Sequence, residues 1–220
     1  MKKNLVILIS GRGSNMQAIV KACQRESWNA RIAAVISNRS QAAGLFFARE
    51  QAIPTAVIDH KAYPDRESFD RALGDEIERY QPDIIALAGF MRILGPTLVG
   101  RFEGRMINIH PSLLPAFPGL HTHERALAAG CQLAGATVHF VTSNLDHGPI
   151  IAQAVVPVWP SDTPDILAER VLYQEHLMMP RVVRWALEGE LLIQDNRVQH
   201  IKGASQCWNG MNHAEPQHGH

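Results

Sequence analysis

The feature that most constrains this chain is the alternation, through its first half, of short apolar runs with longer amphipathic stretches. Runs of four to seven residues occur at Asn4–Ile9, Arg31–Ser37, Thr55–Ile58, Asp83–Ala88 and Arg105–His110. Between them, residues 14–26, 41–51 and 65–80 place apolar side chains at helical spacing, as with Phe69, Leu73, Ile77 and Tyr80. Strands buried on both faces read as unbroken apolar runs, and parallel strands need helical crossovers to join them. The pattern therefore predicts an α/β fold: a Rossmann-like, mostly parallel sheet flanked by helices.

The second half reads differently. A short helix is expected at His123–Ala129, followed by two β-rich runs, Ala134–Thr142 and Pro149–Val158, separated by the six residues SNLDHG. A turn that short places neighbouring strands antiparallel, so an antiparallel addition to the sheet is expected in the C-terminal half. A long helix follows over Pro164–Glu188, and Leu191–Ile193 reads as a last short strand. Residues 1–201 read as a single domain, and 202–220, which lack periodicity, as a flexible C-terminal tail.

Composition excludes several classes. Lys plus Arg and Asp plus Glu stand at 21 each, so no overall basic field recruits nucleic acid or an anionic membrane. Three scattered cysteines, Cys23, Cys131 and Cys207, form neither a disulfide framework nor a CxxC metal site. The apolar core of the first strand is too short for a signal peptide, and no stretch is long enough to span a bilayer, so a cytoplasmic location is expected. His121, His123, His139 and His176 lack the spacing of a metal site.

Two loops carry chemistry. The stretch SGRGSN, Ser10–Asn15, ends the first strand and opens the first helix, where backbone N–H groups and the helix dipole attract an anion. Met16 breaks the G-x-G-x-x-G pattern, and Ser37 and Asn38 stand where a dinucleotide site needs an acid, so a mononucleotide phosphate fits better than NAD. The second loop follows NIHPSLLP, Asn108–Pro115. On a strand, Asn108 and His110 share one face while Ile107 and Ile109 pack behind, and Pro111 ends the run. An amide and an imidazole so placed suit stabilisation of an oxyanion in acyl transfer. Asp146 of DHGP supplies a carboxylate that favours the charged imidazole.

The combination of ISGRGSN, LAGFMRIL, NIHPSLLPAFPGLHTHERAL and HFVTSNLDHGPII closely resembles the phosphoribosylglycinamide formyltransferase family of folate-dependent enzymes. The resemblance implies transfer of a formyl group from 10-formyltetrahydrofolate, as co-substrate, to the amine of glycinamide ribonucleotide in purine biosynthesis, with no metal. It implies Asn108, His110 and Asp146 as catalytic residues, and Gly13, Ser14, Asn15 and Glu175 as ribonucleotide contacts. It implies a folate site at Arg66, Met91, Arg92, Ile93, Leu94, Asn108, Val141 and Thr142. Leu172 departs from the family, which often has a polar residue there. The expected partners are these two small molecules, with no nucleic acid or membrane, and the expected state is a monomer or weak homodimer.

Overall fold

The computed structural model describes residues 2–210. Strands β1 (Lys3–Ile9), β2 (Ala30–Ser37), β3 (Thr55–Val57), β4 (Ile84–Leu87) and β5 (Met106–His110) are mutually parallel where they pair. Strands β6 (Leu133–Phe140) and β7 (Ile150–Pro157) then join antiparallel. The sheet order is β10-β7-β6-β5-β4-β1-β2-β3, where β10 is Cys207–Asn209. Helices α1 (Ser14–Arg25), α2 (Ala43–Glu50), α3 (Arg66–Arg79), α4 (Pro96–Arg101), α5 (Thr122–Ala128) and α6 (Pro164–Leu187) complete the chain, with a separate hairpin of β8 (Leu191–Gln194) and β9 (Arg197–His200).

Strand alternation divides the core in two. Leu5, Ile7 and Ile9 of β1 point to the face covered by Met16 and Ile19 of α1 and by Leu167, Val171 and Met178 of α6. Val6 and Leu8 point to the other face, covered by Phe69, Leu73 and Ile77 of α3 and by Leu98 and Val99 of α4. Each fully buried aliphatic side chain contributes roughly 1.5–3 kcal/mol relative to exposure, so both faces of β1 bind it into the fold. Caps fix the helix starts. The Asp65 carboxylate accepts from Ser68 N–H at 2.8 Å to open α3, and Thr163 Oγ1 accepts from Ile166 N–H at 3.3 Å to open α6, with Pro164 in the first turn.

The β6–β7 connection, residues 141–149, is tied at its base: Phe140 N–H donates to the Pro149 carbonyl at 3.0 Å. Gly148 makes this closure possible, because a Cβ there would lie 1.7 Å from the Phe140 carbonyl oxygen.

Two expectations need correction. The flexible tail expected from residue 202 does not begin there: β10 extends the sheet in parallel beside β7, and Gln206 Nε2 donates to the Ile151 carbonyl at 2.6 Å. A three-residue edge strand held by distant partners leaves no local periodicity to read. Residues 211–220, also assigned to that tail, lie outside the described residues. The run Leu191–Ile193 is one arm of a hairpin whose turn, Asp195–Asn196, has positive φ at both positions, as tight hairpin turns require. Helix α4 was not anticipated, being too short for its spacing to register.

Candidate active site

The chain passes from β1 outward to β2 and β3, then returns to β4 on the other side of β1. Strand ends at such a reversal diverge and open a crevice, the place where open α/β sheets hold ligands. The loops leaving β1, β4 and β5 all lie at this crevice.

On β5, Asn108 and His110 point to the face lined by Met106, while Ile107 and Ile109 belong to the opposite core. Asn108 pairs across the antiparallel ladder with His139, and its Nδ2 lies 3.3 Å from His139 Nε2. His139 Nδ1 lies 2.9 Å from the Phe140 carbonyl, which can only accept, so Nδ1 carries the proton and Nε2 receives the Asn108 amide. Burial pushes the His139 imidazole below the usual histidine range, in keeping with that neutral ring. His110 is 6% exposed. Its Nε2 must likewise be a donor, since it lies 3.0 Å from the Phe117 carbonyl.

The 141–149 connection brings Asp146 back over this face. Its Oδ2 lies 3.6 Å from His110 Nδ1, its Oδ1 3.8 Å from His139 Nε2, and Oδ2 also accepts from Gly119 N–H at 2.8 Å. The pairing of His110 and Asp146 is thus a close electrostatic contact rather than a hydrogen bond. Asp146 itself adopts φ 54°, held by its carboxylate contacts and the tied loop.

At the end of β1, Gly13 caps α1 in the left-handed conformation with φ 70°, and no side chain caps the first turn. A helix start without a side-chain cap leaves its first N–H groups able to bind an anion. The Asn15 side chain turns inward: its Nδ2 donates to Glu175 Oε2 at 2.6 Å across 160 residues of sequence. Asn15 Oδ1 is buried with no partner among the described residues. Burial raises Glu175 above the usual carboxylate range, partly offset by the Asn15 bond. Leu172 lies one helical turn before Glu175, half-buried.

After β4, Gly89 turns with φ 78°, and Met91 and Ile93 follow with 60% and 54% exposure while Leu94 is buried. The Arg92 guanidinium lies 5.8 Å from the Phe69 ring centre. Arg66, exposed at the start of α3, lines a cavity of about 280 Å³ with Asp70 and Gly95, just past this segment. Val141 N–H donates to the Met106 carbonyl at 2.9 Å, and Thr142 Oγ1 donates to the Asn144 carbonyl at 3.2 Å. An open depression of about 600 Å³ beside Asp146 is lined by Pro118, Gly119, Asn144, Leu145 and His147. Among the described residues no group of three or more His, Cys, Asp or Glu is arranged to hold a metal ion, and no helix is long and apolar enough to cross a membrane.

The family model described as formyl transferase matches residues 3–183. The chain belongs to the formyl transferase family. Among relatives of this formyl transferase, phosphoribosylglycinamide formyltransferase of Escherichia coli strain K12 is 49% identical over 193 residues, spanning 88% of this chain and 91% of that protein. The human trifunctional purine biosynthetic protein adenosine-3 is 44% identical over 195 residues, 89% of this chain but only 19% of that protein. The crystal structure of glycinamide ribonucleotide transformylase 1 from Symbiobacterium toebii superposes with a TM-score of 0.88 at 44% identity, covering 91% of this chain and 94% of that one. Its relatives are formyl-transferring enzymes, and so is this chain.

The fold thus brings Asn108, His110 and Asp146 together and pairs Asn15 with Glu175. Several contacts of this chain were not read from sequence: the Phe117 carbonyl on His110, the Gly119 N–H on Asp146 and the hydrogen bond from the Asn108 amide to His139. The first two are backbone groups and leave no side-chain signature. The third becomes visible only once the β5–β6 register places Asn108 opposite His139.

Proposed function

We propose that the chain transfers the formyl group of 10-formyltetrahydrofolate to the primary amine of glycinamide ribonucleotide, giving formylglycinamide ribonucleotide, by direct attack. The unprotonated amine adds to the formyl carbon, and negative charge gathers on the formyl oxygen. The Asn108 amide and the His110 imidazole stabilise that oxygen, each well-placed donor being worth roughly 2.7–4 kcal/mol. Collapse expels the folate nitrogen, which gains the proton that the amine loses, and Asp146 supports the charged imidazole during the transfer. The His110 Nε2 proton rests on the Phe117 carbonyl at 3.0 Å, so the formyl oxygen competes with that carbonyl for it.

The observation that carries this reading is the convergence of Asn108, His110 and Asp146 on one face of the sheet, at a crevice also bordered by the uncapped helix start after Gly13. By the same reading the ribonucleotide phosphate takes the Gly13–Ser14–Asn15 turn, and Glu175, joined to Asn15, contacts the ribonucleotide. The folate takes the Met91, Arg92, Ile93, Leu94 segment with Arg66, Val141 and Thr142. Exposed Met91 and Ile93 beside β5 suit a flat, largely apolar ring system.

The test is to mix the protein with both substrates and follow formylated ribonucleotide by mass spectrometry. Product is expected, it should survive exhaustive chelation, and Asn108→Ala should lower kcat by roughly 10²–10³. No product from the unaltered protein, or full activity in Asn108→Ala, overturns the reading.

A further inference from the structure

Ser10 is a polar residue that the mechanism leaves unused, yet it is only 3% exposed. It sits where β1 ends and grips the chain leaving β4 at two points. Its backbone N–H donates to the Gly89 carbonyl at 3.1 Å, and its Oγ accepts from Met91 N–H at 2.8 Å. The hydroxyl proton goes to Asn38 Oδ1 at 2.5 Å. Asn38, 1% exposed at the end of β2, lies in turn against His60, whose Nδ1 is 3.2 Å from the Asn38 amide nitrogen and 3.0 Å from its carbonyl oxygen. Three strand ends are therefore linked by one buried polar chain ending on the Met91 amide.

We infer that Ser10, oriented by Asn38, is a positioning residue for the co-substrate: it sets the backbone of Met91–Leu94 in the conformation that receives the folate. This rests on the assignment of that segment to the folate. The geometry explains why the chain takes this form. Gly89, with φ 78°, turns the backbone sharply between Ala88 and Phe90, whose side chains are buried in the core, while the backbone of Met91 beyond them has no such anchor of its own. The flanking Met91 and Ile93 are exposed and add little restraint. Ser10 brackets the turn from both sides and fixes the Met91 amide, whose exposed side chain does not. A hydroxyl suits the task because it accepts from Met91 N–H and donates to Asn38 at once. The phosphate turn is held independently, since Gly44 N–H donates to the Gly11 carbonyl at 3.0 Å without the Ser10 side chain. Loss of the hydroxyl should therefore separate the two substrates.

The experiment compares Ser10→Ala and Asn38→Ala with the unaltered protein, reading KM for each substrate, kcat and amide hydrogen exchange at Met91 by NMR. A single lost hydrogen bond predicts that Ser10→Ala raises KM for the folate about tenfold, with KM for the ribonucleotide within about twofold. Met91 exchange should quicken, and Asn38→Ala should shift the same quantities in the same direction by less. If Met91 exchange is unchanged, the clamp does not exist and the inference fails, while the folate assignment stands. If exchange quickens but folate KM does not move, the inference fails together with the placing of the folate on this segment. Equal rises in both KM values mean general damage and likewise overturn it. Should Ser10→Ala not fold, Asn38→Ala is measured in the same way, and the same results support or overturn the clamp.

Discussion

Glu175 is 6% exposed and has an amide, not a cation, against its carboxylate. A buried charge without an opposing one is costly, and burial holds this group above the usual carboxylate range. The sign follows directly. Below the unfolded value both states hold the proton and nothing is lost. As pH rises past that value, the unfolded chain ionises first, and stability falls until the folded group also ionises. Glu175→Gln keeps an oxygen to accept from Asn15 while removing the charge. It is expected to raise Tm at pH 8 but not at pH 4, with roughly 2–4 °C for each kcal/mol in a chain of this size. Ribonucleotide KM should rise at the same time, so stability and binding trade against each other at one atom pair. An equal Tm difference at both pH values would show that charge is not the cause. His139 carries the opposite sign: held neutral by burial, it costs stability as pH falls below the ordinary histidine range.

At the scale of elements, the β6–β7 pair is the tightest joint. A Cβ on Gly135 would lie 1.9 Å from the Ala154 carbonyl oxygen, so Gly135→Ala must push the two strands apart. A loss of about 3 kcal/mol is expected, the upper end for overpacking. Gly100 in α4 has nothing within 4 Å of its added Cβ, and Gly100→Ala should instead be neutral or mildly stabilising. Thermal unfolding of the two variants checks the contrast; matching losses would mean that the strand contact is not what demands glycine. The same elements show what sequence can disclose. β1, β2 and β4 were legible because burial on both faces writes a nearly unbroken apolar run, β5 because Met106, Ile107 and Ile109 flank its two polar residues, and α3 because Phe69, Leu73 and Ile77 recur at its period. α4 and β10 were not, since six and three residues cannot display a period and their positions are set by partners far away in sequence. In the site, side chains with distinctive chemistry such as His110 and Asp146 could be picked out and backbone groups could not. Ser10 was read only as part of the anion loop and Asn38 only as a missing acid; their bond to each other and to Met91 depends on the sheet order, which sets β1 between β2 and β4.

For the molecule as a whole, the crevice joins loops from β1, β4 and β5 with a connection from the antiparallel half. A ligand that spans them stabilises the fold by mass action, by about 2.7 kcal/mol at a hundredfold excess over its Kd. Hydrogen exchange should then slow together at residues 11–15, 89–94 and 141–149 when both substrates or unreactive analogues are bound, with little change in the β8–β9 hairpin. Protection confined to one loop would place the ligands elsewhere. The tie between Phe140 N–H and the Pro149 carbonyl bears on this directly. With both feet pinned, the span that carries Asp146 is a closed loop held a second time where Gly119 N–H meets the Asp146 carboxylate. Residues inserted between the two feet would hang from the same tie, so an insertion there is expected to displace Asp146 and lower turnover while Tm moves little, since lengthening a closed loop adds only a small entropy cost.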